Sequence, residues 1–411
     1  MDAKENALIT SVGTGTPMGR LLRRYWVPVM RSTRLEPGAA PLPFRALAAR
    51  YVAFRATDGR VAVFDEGCPH RGASLALART EGDCLRCIYH GWKLDAAGRL
   101  LEAPTHPAGA RLDKVATGVH PVREDCGMIW TWLGDGAPPP FPTLAFTGLP
   151  ADHVVTATAV VEANWVQMFE SLWDTFHAQI LHNRANRVTF RDTARLEHYF
   201  SEAREGDDSL VFDLPAMSAE ATPWGFAYRS TDDIKELNYA HIFPWYLHHT
   251  VGPDPLDDKA VQIHVPLDDD HTLFWQVMYN RHVPLAPDGY ARRFASAVDD
   301  PDDLRRGYSK ENRWRQDREA MNRGDSFTGI GEGRGILQIL LEDFAVIESQ
   351  GRLDRTREHL GPVDLAVIAG RKMLLRAVEA EDSGDPPFAR DEDVSSVEAV
   401  FDVKPASLLE R

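Results

Sequence analysis

Three of the chain's four cysteines stand in one short stretch, CPHRGASLALARTEGDCLRCIYHGW, which begins at Cys68 and also holds His70 and His90. Sorted by position, the stretch offers two donor pairs. Cys68 and His70 have one residue between them, and Cys87 and His90 have two. Each pair brings one thiolate and one imidazole. Two irons bridged by sulfides could take both thiolates on one metal and both imidazoles on the other, which raises the potential above that of an all-thiolate cluster. A single zinc is the rival, since Cys84 and Cys87 make a knuckle that Cys68 and His90 could complete. That set leaves His70 idle, and the Cys68–His70 spacing is tighter than zinc knuckles usually keep. A third reading, inert buried thiols, leaves two histidines at matched offsets unexplained. On the cluster reading Cys84 and Cys126 have no ligand role.

A second group of donors follows in ESLWDTFHAQILH, which starts at Glu170 and contains Asp174, His177 and His182. Two imidazoles and one carboxylate are the donor set of non-haem ferrous sites, which keep one face open for O2 and substrate. On an ideal helix, residues five apart are rotated by about 140°. Both rings therefore reach one ion only if the helix bends or the rings lean inward. On spacing alone, an ordinary surface or core pair of histidines stays open.

The elements that must position these groups fall into two textures. Residues 42–142 read as a small all-β region: an alternating hairpin with an Asp-Gly turn over 51–66, a second over 92–103 and a strand over 127–134, closed by APPPFP. The Cys/His pairs sit in its loops. A short helix is expected within 18–27. Past residue 150 the pattern changes to strands at 154–163, 259–267 and 272–283, and helices at 164–183, 301–323, 335–350 and 363–381. Residues 382–411 are rich in Asp, Pro and Ser and read as an extended tail. The expected organisation is thus an N-terminal segment (1–41), a β domain (42–142), a second domain (143–381) and a tail (382–411). With 61 acidic against 46 basic residues the formal net charge is -15. This argues against nucleic acid or an anionic membrane as partner. The N-terminus lacks a signal-peptide pattern and no apolar run approaches a membrane span. With cysteines placed as ligands, a reducing, cytoplasmic setting is expected.

CPHRGASL, the 16 residues between His70 and Cys87, and C-x-Y-H-G-W resemble the Rieske domain of ring-hydroxylating oxygenases. The extra loop cysteines that form a disulfide in respiratory Rieske proteins are absent. By this resemblance Arg71 and Tyr89 are candidate donors to the cluster, and Trp92 covers it. The run Asn164-Trp165, Glu170, Asp174, His177, His182 resembles the catalytic signature of the same family. There the two histidines bind iron, and the aspartate links one of them to a Rieske histidine of the neighbouring subunit. The resemblance thus makes Asp174 an electron bridge and not the third ligand. The segment 341–372 resembles the C-terminal part of phthalate-dioxygenase-type oxygenases and gives Asp343 as the third ligand, with Glu342 and Glu348 as competing carboxylates. The resemblance covers most of 5–180 and 335–380.

It implies an α+β chain, with an all-β Rieske [2Fe-2S] domain followed by a helix-grip catalytic domain. It implies a mononuclear Fe(II), O2 as co-substrate, and a homotrimer or hexamer. Electrons would come from a ferredoxin or an NAD(P)H-dependent flavin/iron–sulfur reductase, because no dinucleotide fingerprint is present; GIGEGRG at 329–335 follows no strand and reads as a loop. The expected reaction is hydroxylation or O-demethylation of an aromatic, carboxylated substrate. Arg187, Arg191 and Arg229 are candidate carboxylate anchors, and aromatic residues between 224 and 275 are candidates for the pocket. His248 and His249 are read as structural or pocket residues. A Rieske electron carrier without oxygenase activity is the alternative, although a carrier needs no ferrous donor set.

Overall fold

The structure is a computed structural model and describes residues 1–107, 110–182, 214–232, 235–249, 258–384, 388 and 393–403. The chain divides into two compact units. Residues 12–141 and 265–268 form one, and residues 1–11, 142–264 and 269–411 form the other. The N-terminal segment is therefore shared: the helix Ala3–Thr10 goes with the larger unit, and the helix Pro17–Leu22 with the smaller.

The smaller unit consists of three antiparallel sheets. The first holds Trp26–Arg31, Met128–Trp132 and Val122–Asp125; the second Leu42–Ala46, Ala49–Arg55, Val61–Asp65 and Val119–His120; the third Arg79–Glu81, Cys84–Arg86, Lys93–Asp95 and Leu100–Glu102. The Asp-Gly turn forms as its chemistry requires, with Gly59 at φ 91. Phe54 and Phe64 pack edge to face, 5.4 Å apart, inside a core that also contains Leu85, Leu94, Trp92, Cys68 and Cys87. The apolar core thus runs up to both thiols.

The larger unit is an eight-stranded sheet in the order Val154–Val161, Thr272–Tyr279, Lys259–Pro266, Tyr246–His249, Lys235–Ile242, Gly225–Thr231 and Ala216–Thr222, with Val400–Val403 beside Lys235–Asn238. Thr272–Tyr279 is buried at every position, because both faces of this strand are covered. Phe344 on the helix Ile336–Ser349 meets Phe274 at 5.1 Å, and Phe169 on the helix Trp165–Trp173 meets His264 at 4.4 Å. Helices therefore lie on the sheet, and the chain has the expected α+β architecture.

Four details depart from the sequence reading. The helix expected over 164–183 breaks after Trp173. The stretch 301–323 forms only a tight turn at Arg313–Arg315 and the helix Arg318–Asn322, because Arg313, Trp314 and Arg315 all have positive φ, which no right-handed helix contains. A helix at Tyr290–Ala297 had no clear signal. The expected tail contributes a strand, and Tyr279 donates to Glu398 at 2.9 Å. Among the described residues, no helix is long and apolar enough to cross a membrane.

Candidate metal centres

The two Cys/His loops of the smaller unit are built alike. In the first, the Cys68 amide donates to Ala73 O and the Gly72 amide to Cys68 O, both at 2.8 Å. In the second, the Cys87 amide donates to Trp92 O at 2.8 Å and the Gly91 amide to Cys87 O at 3.0 Å. Each loop spans five residues from cysteine to glycine, and both glycines sit at φ 72, a left-handed turn that favours glycine. The loops therefore present their donors side by side. His70 Nδ1 lies 3.1 Å from His90 Nδ1, and Trp92 stacks on His70 at 4.6 Å while donating to Thr105 Oγ1. Burial pushes the Cys68 thiol up to about 11, with the His70 amide opposing and the neighbouring Cys87 adding to the rise. Two adjoining buried thiols ionise together only when cationic charge compensates them, which suits a metal-bound pair.

Thiol is paired with thiol and imidazole with imidazole. Among the described residues, no three of the single-zinc set, Cys68, Cys84, Cys87 and His90, form a group within 4.8 Å of one another. Zinc, with bonds of roughly 2.0–2.3 Å, would gather all its ligands inside such a distance. The single-zinc reading fails on this geometry, whereas donors split between two metals fit it. All four cysteines are free thiols. Arg71 and Tyr89 pair with each other in a cation–π contact of 5.7 Å.

In the larger unit, the break after Trp173 solves the geometry of the second group. Asp174 caps the helix Trp165–Trp173, and its Oδ1 accepts from the Phe176 and His177 amides at 2.9 and 3.3 Å. The chain then restarts as the short helix His177–Ile180. The rotation that separates the two rings on a continuous helix no longer applies. His177 and His182 come to a ring separation of 5.1 Å, and their Nε2 atoms lie 3.4 and 3.0 Å from Asp343 Oδ1. Among the described residues, His177, His182 and Asp343 are the one group of three donors gathered closely enough for a single metal ion.

The surroundings hold this group firmly. Asn164 starts the helix Trp165–Trp173 and also donates to Thr10 O and Asp269 O at 2.9 and 2.7 Å. Glu170 accepts from Arg355 and Arg371, each almost fully buried. The helix Ile336–Ser349 is buried on nearly every side and delivers Asp343 from its middle. Burial would lower the His182 pKa, but Asp343 and Glu342 outweigh it and push it up to about 9. Burial would likewise raise Asp343, yet His182 and His177 hold it below the usual carboxylate range. This pocket favours a cation among its carboxylates, so the donor set fits a divalent metal.

Glu342 stands outside this group of three donors. It faces the far nitrogen of His182, with Oε2 2.8 Å from Nδ1. Glu348 is tied to Arg305 and Trp314. Asp174 approaches His177 Nδ1 with its backbone oxygen at 2.5 Å, while Oδ2 stays at 4.0 Å. The candidate aromatic residues are largely core: Trp245 and Trp275 are fully buried, and Tyr228 stacks on Tyr239. Arg229 is half-exposed and pairs with Asn238 and Glu236. Arg187 and Arg191 lie outside the described residues. The sequence reading missed Glu342's hydrogen bond and the Arg355–Glu170–Arg371 clamp. Only the i,i+4 spacing of Gln338 and Glu342 hinted at the former.

Comparison with known proteins agrees with this geometry. Residues 25–118 match the Rieske [2Fe-2S] domain family, and residues 131–402 match the family described as LigXa C-terminal domain like. The chain is 34% identical to the phthalate 4,5-dioxygenase oxygenase subunit of Pseudomonas putida, over 93% of this chain and 87% of that protein. It is 28% identical to the 5,5'-dehydrodivanillate O-demethylase oxygenase subunit of Sphingobium sp. (strain NBRC 103272 / SYK-6), over 95% and 83%. The fold is similar to the oxygenase in a reduced oxygenase–ferredoxin complex of carbazole 1,9a-dioxygenase, with a TM-score of 0.55, 18% identity and coverage of 93% and 95%.

Proposed function

The chain belongs to the Rieske non-haem iron oxygenases, and on that premise we propose that it is the oxygenase component of a multicomponent system. It takes electrons from a separate ferredoxin or NAD(P)H-dependent reductase and uses O2 to hydroxylate or O-demethylate a carboxylated aromatic. Members of this family carry a Rieske cluster and a mononuclear iron. Cys68 and Cys87 would hold one metal of the cluster, His70 and His90 the other, and His177, His182 and Asp343 would hold the single iron. The observation that carries the reading is the convergence of His177 Nε2, His182 Nε2 and Asp343 Oδ1 in a buried pocket.

When bound, the cluster supplies electrons one at a time and the ferrous ion supplies open positions for O2 beside the substrate. The chain's own residues orient and insulate. Burial around Asp343 and His182 keeps water from competing, and the break at Asp174 aims both rings. Asp174 spends Oδ1 on backbone amides, and its outer oxygen would accept an imidazole N–H from a neighbouring subunit in a trimer or hexamer. The relatives named for phthalate and dehydrodivanillate support an acidic aromatic substrate.

The test is a panel of phthalate, benzoates and methoxybenzoates, run with a competent reductase under isotopically labelled dioxygen. Labelled oxygen in a ring product is the expected sign of hydroxylation, and released formaldehyde that of demethylation. If metal-loaded protein accepts electrons but yields neither, it acts as a carrier and the proposal is wrong.

A further inference from the structure

The helix Ile336–Ser349 brings one carboxylate more than a two-histidine, one-acid site requires. Glu342 is 1% exposed, and both of its oxygens are engaged. Oε2 faces His182 Nδ1 at 2.8 Å, while Oε1 accepts from Thr328 Oγ1 at 2.6 Å and from Gln338 Nε2 at 3.0 Å. Three donors converging on one group suit an anion. Burying a second carboxylate beside Asp343 is costly unless positive charge sits nearby. The ion-pair partners of Glu342 and Asp343 among the described residues are imidazoles. The deficit is one that a divalent ion at the His177–His182–Asp343 centre would balance.

We propose that Glu342 is a positioning residue for that centre: it locks His182 in the tautomer that presents Nε2, and its charge makes the loaded ferrous site electrically neutral. The inference rests on the mononuclear-iron reading above. A carboxylate behind a ligand imidazole raises the basicity of the ring and fixes its orientation. Added negative charge also favours the ferric over the ferrous state, so Glu342 lowers the midpoint potential of the iron. Thr328 and Gln338 hold the carboxylate in place.

The test compares holoenzyme with Glu342→Gln, Glu342→Leu and Thr328→Val. Two quantities are read: retention of the mononuclear iron against a ferrous chelator, and its midpoint potential, followed by EPR of the ferric ion. The cluster spectrum reports that each variant is folded. Glu342→Gln is expected to weaken iron retention by about 10–100-fold and to shift the potential upward. Glu342→Leu is expected to lose more iron, and Thr328→Val, which frees the carboxylate from one of its holds, to weaken iron retention by less. Wild-type retention and potential in Glu342→Gln would overturn the proposal. So would an unchanged potential in Glu342→Gln when only Glu342→Leu loses iron, because the charge would then have no role. Wild-type protein holding no iron beyond its cluster would refute the mononuclear-iron reading itself, and the proposal with it.

Discussion

His248 sets a consequence that belongs to single residues. It is fully buried, neither ring nitrogen has a hydrogen-bond partner among the described residues, and burial pushes its pKa down to about 3; His241 is pushed down to about 3 as well. Both are neutral in the folded state at pH 7. An unfolded histidine binds its proton near pH 6.5. Between about pH 3 and 6.5 the unfolded chain therefore holds more protons, and stability must rise with pH. Each such histidine costs about 2 kcal/mol on going from pH 7 to pH 5. Denaturant titrations at these two pH values should show a smaller drop for His248→Leu than for the parent chain. Equal drops would mean that His248 is reached by protons in the folded state.

Among the elements, the helix Leu365–Ser383 crosses closely over Trp173, the residue that precedes Asp174. A Cβ at Gly370 would fall 2.6 Å from the Trp173 ring. Trp173 is fully buried, donates to His241 Nδ1 at 3.2 Å and immediately precedes Asp174. Gly370→Ala should therefore destabilise by about 1–3 kcal/mol through overpacking, measured by urea unfolding, and should loosen iron retention. A neutral result would show that the helix can move away freely. Much of this element level was legible beforehand. The hairpin at 51–66, the strand at 272–283 and the helix at 335–350 follow from alternation, apolar runs and period. The break at Asp174 was not legible, because ESLWDTFHAQILH contains neither Gly nor Pro. The Asp174 side chain instead binds the Phe176 and His177 amides in a local turn, and such an aspartate looks like any ordinary polar residue. Spacing also gave both Cys/His pairs, because a loop ligand must be local. Asp343 stands far from His182 in sequence, so only family resemblance could single it out from Glu342.

For the whole molecule, electrons must pass from the cluster to the iron. If Asp174 serves a neighbouring subunit, defects in different chains should complement. Cys87→Ser removes the cluster from one chain, and Asp174→Ala removes the bridge from another. Each variant alone should be inactive. Co-expressed oligomers should regain part of the turnover, because an intact cluster then faces an intact Asp174 and iron across an interface. No recovery in mixed oligomers of verified composition would place the transfer within a single chain.

The central claim is that His177, His182 and Asp343 hold an iron distinct from the cluster. The most direct measurement is iron and acid-labile sulfide per chain in the parent protein and in Asp343→Ala, with the cluster spectrum recorded for both. The parent should contain one more iron than its sulfide accounts for, and Asp343→Ala should lose that iron alone while keeping sulfide and spectrum. Equal iron in the two proteins, or iron matched to sulfide in the parent, would contradict the account.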